Sequence, residues 1–315
     1  MGELLPLRRG AGQVGFIGSE SGSWVIEPRF DFAARFSEGR SLVRVDGRYG
    51  FVDARGELVI APAFNGANWF SCGFSCATKG GLHRFIDPLG AVLDAPPLAA
   101  PVSFKENLAV IRTKDTTRVI RLDGSFANRR KIEFARPFSE GLAAAFDGED
   151  DQWQYLDGSG ETVLRVDGVA ESFSHGLAPV KLAKGWSYLN RDGEVVIAGP
   201  FTTALPFTDG RGLVQKRGRF GFVDVRGVEV VPCQYAAAER FASGRAWVRS
   251  NAKSSSQAID VDGEVKITAP DGFELLAPFL NGSALIAKSN ASTREYVEHY
   301  VFADGRLLVV DPDHV

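Results

Sequence analysis

Ser41-Leu42-Val43-Arg44-Val45-Asp46-Gly47-Arg48-Tyr49-Gly50-Phe51-Val52-Asp53-Ala54-Arg55-Gly56-Glu57-Leu58-Val59-Ile60-Ala61-Pro62 is the stretch on which the fold turns. Ser41 to Val45 alternates and is rich in β-branched residues, so it reads as a strand. Asp46-Gly47 is a hairpin signal, because a type I′ turn needs positive φ at both central positions. Tyr49 to Asp53 reads as the returning strand, and Asp53 to Gly56 as a second turn whose aspartate caps backbone N–H groups. Leu58-Val59-Ile60 reads as a third strand, stopped by Pro62, which has no N–H to give a ladder. A connection through Phe64, Ala67 and Phe70 leads to the next unit. The expected element is therefore a three-stranded antiparallel meander.

The unit recurs along almost the whole chain. Phe36-Ser37-Glu38-Gly39 is followed by copies beginning at Phe70, Phe104, Phe138, Phe173, Phe207, Phe241 and Phe279. Their spacing is 34 or 35 residues until the last interval, which is 38. A fixed period in this range marks a repeat architecture. A bulky residue precedes most of these phenylalanines by six positions (Phe30, Phe64, Leu98, Ile132, Phe201, Tyr235, Phe273). A small one commonly precedes them by three (Ala33, Ala67, Ala135, Ala170, Ala204, Ala238), a set that suits a wedge packing one meander on the next. With Leu4 to Leu7 as a first strand and Tyr300 to Val310 as a last unit, the expectation is one all-β domain over residues 1–315. It would be a tandem array of about nine meanders, beginning near 4, 41, 75, 108, 142, 178, 212, 246 and 284. Nine units of this length favour a curved or spiralling array, with a closed propeller-like ring as the alternative.

Composition narrows the function classes. The chain has 315 residues, a net charge of −3, and 35 Gly and 23 Phe against one Met. That charge balance offers no whole-chain footprint for nucleic acid, and Arg129-Arg130-Lys131 reads as a solvated loop. Three cysteines, Cys72, Cys76 and Cys233, are too few and scattered for a disulfide framework and read as small hydrophobes. No stretch is apolar enough for a signal peptide or a membrane span, so the expected setting is cytoplasmic and away from membranes.

Arg48-Tyr49-Gly50-Phe51-Val52-Asp53, Gly185-Trp186-Ser187-Tyr188-Leu189-Asn190 and Arg219-Phe220-Gly221-Phe222-Val223-Asp224 resemble the WG (KWG) β-repeat family. Phe138-Ser139-Glu140-Gly141-Leu142-Ala143 resembles the second half of its consensus, and the resemblance runs over roughly residues 13 to 310. No literal Trp-Gly pair is present; Trp153-Gln154 and Trp186-Ser187 come nearest. The resemblance implies a bacterial, non-catalytic protein and brings no active-site residues with it.

The residues themselves point away from catalysis as well. The four histidines, His83, His175, His299 and His314, share no metal-ligand spacing, and no nucleophile motif appears. His175 falls in the turn slot held elsewhere by Glu38, Glu140 and Asp209. Asp260-Val261-Asp262-Gly263 coincides with the ordinary second turn rather than a calcium loop. No enzyme activity, cofactor or metal is expected.

Recurring positions serve the fold, so individuality should sit where the copies diverge, on the hairpin tips between first and second strands. Long tips are expected at 112–118, 147–151, 250–256 and 289–294. The partner-binding candidates are Arg112, Lys114, Asp115, Asp147, Glu149, Asp150 and Asp151, with an exposed Trp153 beside the acidic tip. The functional expectation is an interaction scaffold or specific inhibitor that binds a protein partner along one edge of the array. The alternative is a glycan- or small-ligand-binding module.

Overall fold

The structure is a computed structural model that describes residues 2–9, 12–113, 116–127, 132–148, 151–270, 272–289 and 296–308. Among them the protein is all β, with nine small antiparallel sheets in tandem, no helix and no closed barrel. The chain divides into two compact units, Met1–Gly141 with Asp157–Glu161, and Leu142–Leu156 with Thr162–Val309.

The second sheet, in the first unit, shows the full repeat. Ser41–Val45, Arg48–Val52 and Leu58–Phe64 pair in sequence order. Asp46 and Gly47 both have positive φ, as a type I′ hairpin requires. At the second turn Asp53 Oδ1 accepts from the Arg55 and Glu57 amides at 2.9 and 3.0 Å. Asp87 and Asp224 cap their turns in the same way.

Two features differ from the expected meander. The connection is partly sheet: Phe32–Ala33 pairs with Ser41–Val45 as a two-residue strand, so the sheet has four strands. Gly66–Ala67, Val169–Ala170, Thr203–Ala204 and Ala237–Ala238 pair likewise with the strand that follows each. Nor does Pro62 stop the third strand, which runs on to Phe64. Phe51 faces Ile60 and Tyr49 faces Phe64, so Ala61, Pro62 and Ala63 bulge opposite the single residue Gly50. A bulge removes the need for a ladder donor, and that is where proline fits within a strand.

The bulge explains the glycine of the second strand. A Cβ on Gly50 would lie 2.6 Å from the Ile60 carbonyl oxygen and 2.8 Å from the Pro62 nitrogen. Gly221 has the same relation to Val231 and Cys233, and Gly15 to Ile26 and Pro28. In the sixth sheet the roles are exchanged. Ser187 replaces the glycine, Gly199 lies in the bulge where a Cβ would run into the Trp186 carbonyl oxygen, and the Gly199 amide donates to Ser187 Oγ at 3.1 Å. Where the slot holds Gln154 or Gln257, the third strands Thr162–Val166 and Val265–Thr268 pair residue for residue opposite it, without the three-residue bulge. Where it holds Arg84 or Arg118, isolated bridges replace a continuous third strand.

Phe36, Phe70, Phe104, Phe173, Phe207 and Phe241 each pack on the aromatic of the second strand before them, whereas Phe279 stacks on Trp247 of a first strand. Ring centroids lie 4.8 Å apart for Phe51–Phe70, 4.6 Å for Tyr155–Phe173, 4.9 Å for Tyr188–Phe207 and 4.7 Å for Phe222–Phe241. Such pairs add about 0.5–1.5 kcal/mol beyond their area. In the first unit Phe51, Phe70, Ala77 and Ile86 share one core cluster, so the wedge joins successive sheets. Tyr188 donates its buried hydroxyl to the Leu205 carbonyl at 2.8 Å, and burial pushes that phenol's pKa up.

Candidate functional site

The carboxylates of the Phe-Ser-Glu-Gly turns are engaged in the fold. Glu38 accepts from the Cys72 and Gly73 amides of the next repeat, both at 2.8 Å. Glu106 takes the Glu140 and Gly141 amides at 2.7 and 2.8 Å. In the second unit His175 Nε2 accepts from the Gly210 amide at 3.1 Å, Asp209 from Gly244 at 2.7 Å, and Ser243 Oγ from Gly282 at 2.8 Å. The neighbouring hydroxyls add a second bond: Ser37, Ser71 and Ser174 donate to the Phe70, Phe104 and Phe207 carbonyls. Glu38, His175, Asp209 and Ser243 all lie at positive φ, the conformation that turns each side chain into a clasp. In the sequence this position reads only as a turn residue; the period itself is the available signal, since clasp and amide lie 34 or 35 residues apart except at Ser243, where the separation is 39.

Asp260 caps an ordinary second turn of the repeat. Its Oδ1 caps the Asp262 and Glu264 amides, and Lys266 pairs with it at 3.0 Å. Among the described residues no group of three His, Cys, Asp or Glu is placed to hold a metal ion. Cys76 is buried, as a small hydrophobe should be, and burial raises its thiol's pKa.

The tip candidates separate. Arg112 is exposed at the end of its strand, where it faces Thr117. Lys114, Asp115, Glu149 and Asp150 lie outside the described residues, as do Arg129, Arg130 and Lys131. Asp151 is exposed, but Asp147 is only 4 % exposed and is not a tip charge. It ends the Ala143–Asp147 strand on the face of Ala145, beside Gln154, whose Nε2 lies 3.5 Å from Asp147 Oδ2. Trp153 is half-buried rather than exposed, because it faces Phe146 and Val166 across the sheet and its ring lies 5.8 Å from that of Phe146.

Trp153 nevertheless borders a pocket of about 580 Å³. Phe146, Trp153, Val166 and Val169 supply its apolar lining, and Asp151, Gln152 and Asp167 its polar one. Gln152 Nε2 donates to Asp167 Oδ1 at 3.2 Å, and Arg165 Nη1 donates to Gln152 Oε1 at 3.2 Å. In the bulged sheets the residue facing the Trp153 slot is large: Phe64 faces Tyr49, Phe201 faces Trp186 and Tyr235 faces Phe220. Here Val166 takes that place, and Asp167 holds the position six before Phe173. That gap in the bulky series was legible in the sequence, and the tip-centred reading passed over it.

A second cleft, of about 640 Å³, lies where the repeat interval lengthens to 38 residues. It is bounded by the Lys253–Ser256 stretch of the long hairpin and by Phe273, Glu274 and Leu275 of the eight-residue strand Phe273–Leu280. Trp247 lines it; that side chain is buried, and its Nε1–H meets no acceptor. Behind Phe273, 5.3 Å from its ring, is buried His299. Burial, assisted by the Lys288 charge, lowers its pKa.

Comparison with known proteins follows the same division. Four segments match the WG-containing repeat, at residues 15–49, 49–82, 186–219 and 220–253. These four hold the second strands of the four bulged sheets, with Gly15, Gly50, Ser187 and Gly221 in the common slot. No curated protein matches the sequence. A solved structure described as a eukaryotic initiation factor is 11% identical with a TM-score of 0.66, covering 98% of this chain and 95% of its own, which is a likeness of fold alone. AztD from Citrobacter koseri gives 12% identity and a TM-score of 0.46, covering 98% of this chain and 95% of its own. Hsv2 from Kluyvelomyces marxianus gives 8% and 0.44, covering 83% and 93%.

Proposed function

We propose that the protein is a non-catalytic binding protein whose partner, another protein, docks on the irregular surface around the Asp147–Gln152 hairpin. The observation that carries this reading is the pocket beside Trp153, at a position that Phe64, Phe201 and Tyr235 occupy in bulged sheets. The recurrent acidic and histidine side chains support it from the other direction, since Glu38, Glu106, His175 and Asp209 are committed to backbone amides. Affinity capture from native lysate tests the reading, with wild type beside a folded variant whose 112–118 and 147–151 tips are shortened. A stoichiometric protein lost in the variant is the expected result; equal capture by both overturns the assignment to these tips.

A small-ligand reading has its own support in the cleft beside Trp247, whose volume suits a small molecule and whose buried indole N–H lacks an acceptor. Under that reading a compact ligand with a hydrogen-bond acceptor raises the melting temperature of wild type and leaves that of Trp247→Phe unmoved. Clustered exposed aromatics, which a glycan module would favour, are not what the tryptophans offer. Trp69 alone of the five is strongly exposed, at 61 %.

A further inference from the structure

The third strand forms one edge of its sheet, and an open edge invites another strand. Four of these edges carry a proline inside a three-residue bulge, at Pro28, Pro62, Pro200 and Pro232, which spoils them as templates. In the eighth sheet Val265–Thr268 has no proline and no three-residue bulge, but Lys266 stands within it, paired with Asp260 and Glu264. Thr162–Val166 has neither proline nor a three-residue bulge; its register slips by a single residue, Val163, between the Leu164 and Thr162 pairings. It runs five residues without proline at the end of its sheet, and Val163 is 53 % exposed. Its one cation, Arg165, is bonded to Gln152.

The pocket opens at the end of this same strand. It offers the Trp153 and Phe146 rings together with the carboxylates of Asp151 and Asp167. An aromatic face attracts a cation by about 0.5–2 kcal/mol, and a carboxylate adds a charge-assisted hydrogen bond. The nearby basic groups are Arg165 and the exposed Lys181, whose backbone pairs with Val169.

We propose that an extended, basic segment of the partner adds as a further strand to the free edge of Thr162–Val166 and places a Lys or Arg side chain in the pocket of Trp153, Asp151 and Asp167. This rests on the protein-binding reading above and says what that partner presents. Backbone pairing supplies affinity in strand addition, and side-chain pockets supply specificity. Asp167 is then the residue that selects the basic side chain, and the loss of the proline-bearing three-residue bulge is what opens the edge.

The test is selection of a displayed random twelve-residue peptide library on the full-length protein, followed by fluorescence anisotropy with the enriched peptides. Enriched sequences should alternate apolar residues and share one Lys or Arg. Affinity should fall about tenfold or more, roughly 1.4 kcal/mol, for Asp167→Phe, which restores an aromatic at the wedge position. Hydrogen exchange at the Thr162–Val166 amides should slow in the complex. A charge-reversed peptide, with Glu in place of its basic residue, should not bind. Val163→Pro supplies a second variant at the edge, and equal melting temperatures establish that both variants fold. No enrichment, enriched peptides without a basic residue, or unchanged affinity for both variants overturns the inference. The lysate capture is scored separately, so a partner lost on tip shortening but bound normally by Asp167→Phe and Val163→Pro leaves the broader reading standing and removes this one.

Discussion

The second and fifth sheets are built from the same repeat, and the middle slot of the second strand, Gly50 or Gln154, sets them apart. In the second, Gly50 lets three residues bulge around it, Pro62 fits the bulge, and Phe64 closes over Tyr49. In the fifth, Gln154 fills the slot, and the facing strand has to pass straight by. Gln154 is buried and accepts from Thr162 Oγ1 at 2.6 Å. The three-residue bulge, the proline and the facing aromatic are then lost together, and a pocket and a proline-free edge take their place. A missing Cβ thus controls what the sheet shows to the outside.

The comparison can be broken most severely at the glycines. Gly199→Ala and Gly50→Ala force a Cβ into backbone atoms and should each cost about 3 kcal/mol or more in urea unfolding, or prevent folding. Gln154→Ala should cost less, about 1–2 kcal/mol, because it removes one buried hydrogen-bonded side chain without a clash. A Gly50→Ala protein as stable as wild type would mean that the bulge does not depend on the glycine.

Smaller changes sharpen the picture. Glu38→Ala removes the acceptor of two amides from an exposed clasp and should cost about 1 kcal/mol, with Glu38→Gln recovering part of it. His299 tests the irregular end of the second unit by pH. Its folded pKa lies below the ordinary 6.5, so the unfolded chain binds the proton more readily. Its contribution is therefore complete above that ordinary value and is lost as pH falls below it toward the depressed folded pKa. The melting temperature should drop by a few degrees between pH 7.5 and 5.5, and by less in His299→Phe. Ser187→Gly puts in this slot the residue that Gly15, Gly50 and Gly221 supply in the other bulged sheets and should be nearly neutral, within about 1 kcal/mol, since it loses only the bond from the Gly199 amide.

Much of the fold was legible because it rests on local chemistry. Asp46-Gly47 fixes a hairpin by backbone conformation alone, Asp53 caps a turn within four residues, and the recurrent phenylalanine announces its period. Pro62 misled for a physical reason. A proline ends a regular ladder, but whether the ladder is regular depends on the residue facing it on another strand. The binding candidates were legible only in part. The 147–151 tip was visible as a departure from the repeat, whereas the burial of Asp147 follows from its strand face and from Gln154. Asp167 was visible as a gap in the bulky series, but that the gap adjoins Trp153 is a fact of cross-strand register.

The sequence by itself determined the repeating unit, its strands and turns, and the apolar wedge, because each is set by dihedral preference and by hydrophobic spacing within a few tens of residues. Only the tertiary structure decided which amides the Glu38 and His175 side chains hold, how the third strand passes the second, and where the surface is left open. Those outcomes depend on the distance between backbones brought together from different strands and repeats, where one Cβ or one carboxylate changes what can approach.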